Sequence, residues 1–325
     1  SPCTHFNLRA RHPLLAPPPL ASQRALGDRP AQMEIIVEPG GLTSVGFELW
    51  RRDPATALGT MVAGNSGRPG GACGQADGSV SSLHPHHTTQ EEDVVSNWLL
   101  TACEGRNRGN ASRLYCETIH GRWGMIDPWG SDGRTVQKVN YHNAEDGKWY
   151  ADAWVVDGVR LSAKEAAPSL GGPQGGPFFD LEKQYPTSLV FVAGPNAGVQ
   201  GHLPSSTTRR TFNYAAERDF HVFSDGVRNA LYAGLFAMAQ RGCRVALLAF
   251  VSGGIYAGPW ADDFLLHYQK IVNSLLAEPV RADDVSGSTQ PPPPLGMWFD
   301  RVVLTVLGPP TNKNVSYSVI SRQGE

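Results

Sequence analysis

Val245-Ala246-Leu247-Leu248-Ala249-Phe250-Val251-Ser252-Gly253-Gly254-Ile255-Tyr256-Ala257-Gly258-Pro259 runs from an apolar stretch into a glycine loop and ends on a proline. The uninterrupted apolar segment Val245 to Val251 reads as a buried strand, of the kind a sheet covered on both faces contains. Beyond the loop, Trp260, Phe264, Leu265, Tyr268, Ile271, Val272, Leu275 and Leu276 recur on one helical face, with Pro259 suited to the first helical position. Strand, glycine turn and helix in that order make a unit in which backbone N–H groups can meet a phosphate at a helix start.

The same alternation extends outward. Glu34 to Glu38 reads as a strand, Leu42 to Arg52 as a helix starting from Thr43 or Ser44, and Thr60 to Ala63 as a buried strand. That strand runs into a second glycine loop, Gly64-Asn65-Ser66-Gly67-Arg68-Pro69-Gly70-Gly71. From Gln90, the residues Val94, Val95, Trp98, Leu99 and Ala102 keep helical spacing, with Thr88 or Thr89 as N-cap. Leu189 to Ala193 reads as a strand and Phe220 to Gln240 as a helix closed by Gly242. Phe299 to Leu307 and Val315 to Ile320 read as late strands. A mixed sheet with helices on both faces is the expected architecture.

Three segments fall outside this pattern. Residues 1–32 are rich in proline, alanine and arginine and are expected to form a disordered arm. Residues 104–187 are expected to be an irregular insertion with a few strands, Tyr150 to Val156 among them, and a mobile Gly171 to Pro177 tract. Residues 281–295 end in four prolines and read as a surface linker within a single domain spanning 33–325.

The formal charge of −2, from 28 basic and 30 acidic residues, argues against sequence-independent binding of nucleic acid. Arg51-Arg52 and Arg209-Arg210 are read as solvated surface pairs. Five cysteines without a C-x-x-C pair do not describe a disulfide scaffold, and the simpler expectation is a reducing, intracellular compartment. No apolar run reaches the ~20 residues that span a bilayer, and the proline-broken Pro13 to Ala21 run lacks the features of a signal peptide. The acceptor patterns at Asn110 and Asn314 matter only in a secreted chain.

Glycines at 64, 67, 70 and 71 allow close backbone approach to a ligand, and Asn65 offers both donor and acceptor to sugar hydroxyls. An ordinary turn would use the same residues. Neither loop has the Gly-Lys-Ser/Thr ending of a triphosphate-binding loop or a dinucleotide G-x-G-x-x-G. Between them lies Thr88-Thr89-Gln90-Glu91-Glu92-Asp93. Its glutamates satisfy a capping box, which explains one of them without any chemistry. In a cleft, adjacent carboxylates point differently, so one can face a substrate while the other positions it. Burial would raise a glutamate pKa and the helix dipole would lower it, leaving both protonation states open. His84, His86 and His87 lack a fourth ligand at a recognisable spacing, so no metal is expected. Tyr256 is suited equally to stacking on a ligand and to closing its loop.

These residues together resemble the macrodomain family, in its poly(ADP-ribose) glycohydrolase-like branch. Gly70-Gly71 and Gln90-Glu91-Glu92 resemble that branch's glycine loop and helix start, Val192-Ala193-Gly194-Pro195-Asn196 its strand ending in Pro-Asn, and Val227-Arg228-Asn229-Ala230-Leu231 the following helix. Gly253 to Pro259 resembles its diphosphate loop, so the likeness spans roughly residues 33–278. Ala72 replaces a third glycine, and the interval Ala72 to Thr89 is longer than the family's. The resemblance implies a three-layer α/β/α macrodomain, monomeric and without cofactor, that takes ADP-ribose, poly(ADP-ribose) or ADP-ribosylated protein. It implies a ligand set of Asn65, Gly70, Gly71, Gln90, Asn196, Ser252, Gly253, Gly254, Ile255, Tyr256 and Ala257. Glu92 would be the catalytic acid and Glu91 its ribose-positioning neighbour. If the glutamates only cap the helix, the same loops would make a non-catalytic reader of ADP-ribose.

Overall fold

A computed structural model of the chain describes residues 3–6, 32–64, 94, 140–142, 149–151, 153–165, 178–198, 215–280, 293–306 and 319–321. The strands are β1 (Cys3–Phe6), β2 (Gln32–Pro39), β3 (Leu58–Ala63), β4 (Asn140–His142), β5 (Trp149–Ala151), β6 (Ala153–Glu165), β7 (Phe178–Val192), β8 (Val245–Leu248), β9 (Arg301–Val306) and β10 (Val319–Ser321). Eight of them form a mixed sheet in the order β1-β6-β7-β3-β8-β9-β2-β10, while β4 and β5 pair separately. The five central strands from β7 to β2 run parallel. The flanking pairs β1–β6, β6–β7 and β2–β10 are antiparallel.

Alternation along the central strands fills two apolar clusters, one on each face, because successive strand residues point to opposite sides. Met61 of β3, Val190 and Val192 of β7, Ala246 and Leu248 of β8, and Val302 and Leu304 of β9 join the first cluster. Val62, Leu189, Phe191, Val245, Leu247 and Val303 join the second. The helix α1 (Leu42–Arg52) packs Leu42, Val45, Phe47, Leu49 and Trp50 against the second. On the first face lie α2 (Phe220–Gln240) and α3 (Phe264–Ala277). With both faces covered, the central strands carry short uninterrupted apolar runs such as Val245–Leu248 and Leu189–Val192.

Local sequence explains the boundaries of these helices. The side chain of Asp219 caps α2 by accepting from the His221 amide at 2.8 Å. At the other end Gly242 takes φ +70°, and the Gly242 and Cys243 amides donate back to the Ala239 and Met238 carbonyls, each at 3.0 Å. Pro259, by contrast, does not open α3. Gly254–Trp260 is a 3-10 turn interrupted at Gly258 (φ 55°, ψ −123°), a left-handed conformation that no right-handed helix accommodates, so α3 begins only after Asp263.

The expected insertion is also different in part. Residues from Ala153 onward belong to the main sheet, because β6 and β7 pair along most of their length. A bulge hides this from the sequence: Val156 opposes Leu189 but Val159 opposes Thr187, so β6 carries one extra residue beside Gly158 (φ +67°). The extra residue reverses parity, placing Ala153 and Val155 in one cluster and Val159 and Leu161 in the other. The Gly171 to Pro177 tract lies outside the described residues. Four residues of the arm expected to be disordered form edge strand β1, whose backbone groups complete the ladder offered by β6. Within the sheet centre, the buried hydroxyls of Thr60 and Thr187 pair at 2.8 Å, and Thr187 also donates to the Leu58 carbonyl at 3.0 Å. Among the described residues, no helix is long and apolar enough to cross a membrane.

Phe264 is fully buried and its ring lies within 5.2 Å of the Phe223 ring and 5.0 Å of the Phe250 ring. Phe264→Ala is expected to lower the unfolding free energy by about 3–5 kcal/mol. The exposed Leu266→Ala should stay within about 0.5 kcal/mol of the parent, both read from denaturant midpoints at constant m-value.

Candidate functional site

Because β7, β3 and β8 are adjacent and parallel, their carboxyl ends share one edge of the sheet. The chains leaving those ends then diverge. After β7 and β8 the chain proceeds to α2 and α3 on one face, whereas the chain after β3 reaches Val94, helical and fully buried in the cluster beneath α1. A divergence of this kind marks the edge at which open α/β sheets hold ligands.

The loops after β7 and β8 touch each other across the end of β3. Strands separated by one neighbour stand about 9.5 Å apart, so contact requires both loops to lean inward. The Ala197 amide donates to the Tyr256 carbonyl at 2.8 Å. A Cβ on Gly258 would sit 2.5 Å from the Ala197 carbonyl carbon and 2.9 Å from the Gly198 nitrogen. A Cβ on Gly194 would overlap the Ser252 hydroxyl and lie 2.8 Å from the Val251 side chain. Two glycines therefore bring the loops together where any side chain would separate them.

Within each loop the backbone is fixed locally. Asn196 uses its side-chain oxygen to accept from the Gly198 amide at 3.0 Å, an Asx turn that shapes the segment after Pro195. In the second loop the Gly253 amide donates to the Phe250 carbonyl at 2.9 Å, and the Tyr256 amide to the Gly253 carbonyl at 3.2 Å. Ser252 adopts φ 60°, the one non-glycine residue at positive φ among the described residues. Its hydroxyl is buried and has no hydrogen-bond partner among the described residues. From α3, the buried Tyr268 hydroxyl donates to the Ala249 carbonyl and accepts from the Val251 amide at 3.4 Å, tying the loop's start to the helix. Burial raises the Tyr268 pKa above its ordinary 10.0, so the phenol remains a neutral donor.

Of the residues expected at the site, Asn196, Ser252, Gly253, Gly254, Ile255, Tyr256 and Ala257 are thus brought together. The Tyr256 backbone closes its loop against the other one, while its side chain is half-buried. Asn65, Gly70, Gly71, Gln90, Glu91 and Glu92 lie outside the described residues, as do His84, His86 and His87. Gly64, which opens the first glycine loop, donates to the Val192 carbonyl at 2.7 Å and so starts that loop level with the end of β7. Among the described residues, no His, Cys, Asp and Glu cluster could hold a metal ion. Sequence reasoning had not assigned Gly194, Gly258 or Tyr268 to the site. The signal for the last was a hydroxyl within the apolar stripe of α3.

No protein-family model matches the chain, and no curated protein matches it. Among solved structures it is similar to the poly(ADP-ribose) glycohydrolase of Thermomonospora curvata, at 15% identity and TM-score 0.47 over 95% of this chain and 81% of that one. The same enzyme bound to the inhibitor ADP-HPD is similar at 14% identity and TM-score 0.44, over 94% and 78%. The poly(ADP-ribose) glycohydrolase of Deinococcus radiodurans in complex with ADP-ribose is similar at 14% identity and TM-score 0.45, over 94% and 87%.

Replacing Tyr268 with Phe removes the donor to the Ala249 carbonyl, which still accepts from the Val251 amide at 3.0 Å, and should cost about 0.5–1.5 kcal/mol in denaturant unfolding. The sign of the pH dependence follows from the raised pKa: the folded state favours the protonated phenol, so its contribution is complete below about pH 10 and is lost as pH rises further. Alkaline titration of stability should show a smaller decline above pH 10 in the Tyr268→Phe variant than in the parent.

Proposed function

We propose that this chain binds ADP-ribose at the shared carboxyl edge of β7, β3 and β8 and hydrolyses O-glycosidic ADP-ribosyl bonds there. The observation that carries the proposal is the packing of the Gly194–Gly198 loop against the Ser252–Gly258 loop directly beside the start of the first glycine loop. A diphosphate needs several convergent backbone N–H donors and no intervening Cβ atoms. The glycine content of both loops supplies that access. The motifs Gly70-Gly71, Gln90-Glu91-Glu92 and Gly253-Gly254-Ile255-Tyr256-Ala257 support ADP-ribose over other diphosphates through their resemblance to the poly(ADP-ribose) glycohydrolase-like macrodomains. In this reading the fold is a three-layer α/β/α macrodomain.

Glu91 and Glu92 stand three and two positions before Val94, the helical residue buried under α1. They would enter the crevice from the face opposite α2 and α3, with the distal ribose near Asn65 and the diphosphate on the residue 252–257 loop. Glu92 protonates the leaving oxygen as the anomeric C–O bond breaks, and the resulting carboxylate takes a proton from the water that attacks the oxocarbenium-like centre. Glu91 positions the ribose. Tyr256 offers its ring to the base or sugar at the loop's mouth.

Calorimetric titration with ADP-ribose should give a saturable isotherm, and release of ADP-ribose from an automodified acceptor should be measurable. Glu92→Gln is expected to lower turnover by about 10²–10⁴-fold while binding persists. Binding without turnover in the parent would make the chain a reader module. Loss of binding together with turnover in Glu92→Gln would leave that residue as a helix cap.

A further inference from the structure

Strand register fixes what borders the proposed site on its far side. The order β8-β3-β7-β6-β1 places β6 and β1 beyond β7, and β1 runs parallel to β7 because each is antiparallel to β6. His5 of β1 lies opposite Trp154 of β6, Trp154 opposite Phe191 of β7, and Phe191 opposite Val62 of β3. This row stands one residue before the ends of β7 and β3, where two of the site's loops begin. Phe191 and Val62 belong to the cluster packed against α1, while Ala153 and Val155, on either side of Trp154, belong to the other. Positions 5 and 154 therefore fall on the α1 face, the face from which Glu91 and Glu92 would enter.

The proposed ligand has a direction along this row. Its diphosphate lies on the loop after β8 and its distal ribose near the loop after β3. Whatever is joined to the anomeric carbon then continues toward β7, β6 and β1. Trp154 stands two strand spacings from β3, about 10 Å, and His5 three spacings, about 14 Å. In poly(ADP-ribose) the group across the scissile bond is the adenosine of the neighbouring unit, whereas on a singly modified protein it is an amino-acid side chain. Adenine offers a flat π face, and tryptophan and histidine rings hold bases by stacking on it.

We infer that β6 and β1 form an acceptor-side subsite in which Trp154, with His5 beside it, stacks on the adenine of the neighbouring unit. Poly(ADP-ribose) is then the preferred substrate over singly modified protein. The inference rests on the function proposed above and names the substrate class of that site.

The subsite acts on the second unit alone, which separates it from a role in supporting the fold. Calorimetry on the full chain carrying Glu92→Gln, to prevent turnover, compares ADP-ribose with a two-unit poly(ADP-ribose) fragment. The fragment should bind about tenfold more tightly or better, the value of one stacked base. Adding Trp154→Ala should remove this advantage and leave the affinity for ADP-ribose unchanged. Trp154→Phe, which keeps a ring, should retain most of it. His5→Ala, on a separate strand, should diminish the advantage with the same selectivity, and it carries the test if Trp154→Ala does not fold. Loss of all binding in Glu92→Gln moves the comparison to initial rates of the parent and its Trp154 and His5 variants on polymer and on singly modified acceptor, with the same ratios expected.

A fragment that binds no more tightly than ADP-ribose would overturn the subsite and leave the proposed function standing. So would an equal loss for both ligands in the Trp154 and His5 variants. Absence of ADP-ribose binding by the parent chain would overturn the proposed function and this inference together.

Discussion

The common direction of β7, β3 and β8 is the constraint on which the rest depends. Parallel neighbours deliver their outgoing loops to one edge, whatever the sequence separation between them. Residues near 64, 195 and 253 thereby become neighbours although long stretches of chain intervene. The direction is itself set by covering both faces: α1 bridges β2 to β3 on one side, and α2 bridges β7 to β8 on the other. The chain leaves β3 toward Val94 on the α1 face and leaves β8 toward α3 on the other, so the exits diverge at this edge.

Packing then converts shared location into a defined shape. Gly194 and Gly258 allow the loops beyond β7 and β8 to approach until the Ala197 amide meets the Tyr256 carbonyl. Tyr268 transmits the rigidity of α3 to the same loop, and Phe250 is packed between the rings of Phe264 and Tyr268, both at 5.0 Å between centroids. The two loops are thus held by side chains of the core, as fixed placement of polar backbone requires. Ser252 is the one point in them where the backbone is held away from the conformation its side chain favours.

How much of this the sequence disclosed depends on the range of the interaction involved. The limits of α2 were legible because a capping aspartate, a sustained apolar face and Gly242 all act within a few residues. The loop at 252–258 was visible from its glycines alone. The length of β6 and β7 was not, since the bulge at Gly158 reverses the alternation on which a strand reading relies. Nor was the start of α3, because Pro259 carries a helix-initiating signal that the left-handed Gly258 overrides. The approach of Gly194 to Ser252 depends on strand order, which is a property of distant pairings. The positive φ of Ser252 had no signature at all, as serine is not a residue that normally marks that conformation.

The central claim is that the loops after β3, β7 and β8 form a single ligand-binding unit. Amide hydrogen exchange of the full chain, compared with and without saturating ADP-ribose, tests it most directly. The account predicts that peptides covering residues 64–71, 194–198 and 252–258 gain protection together, with half-maximal protection at one ligand concentration. Protection of one of these segments without the others, or at different concentrations, would contradict it.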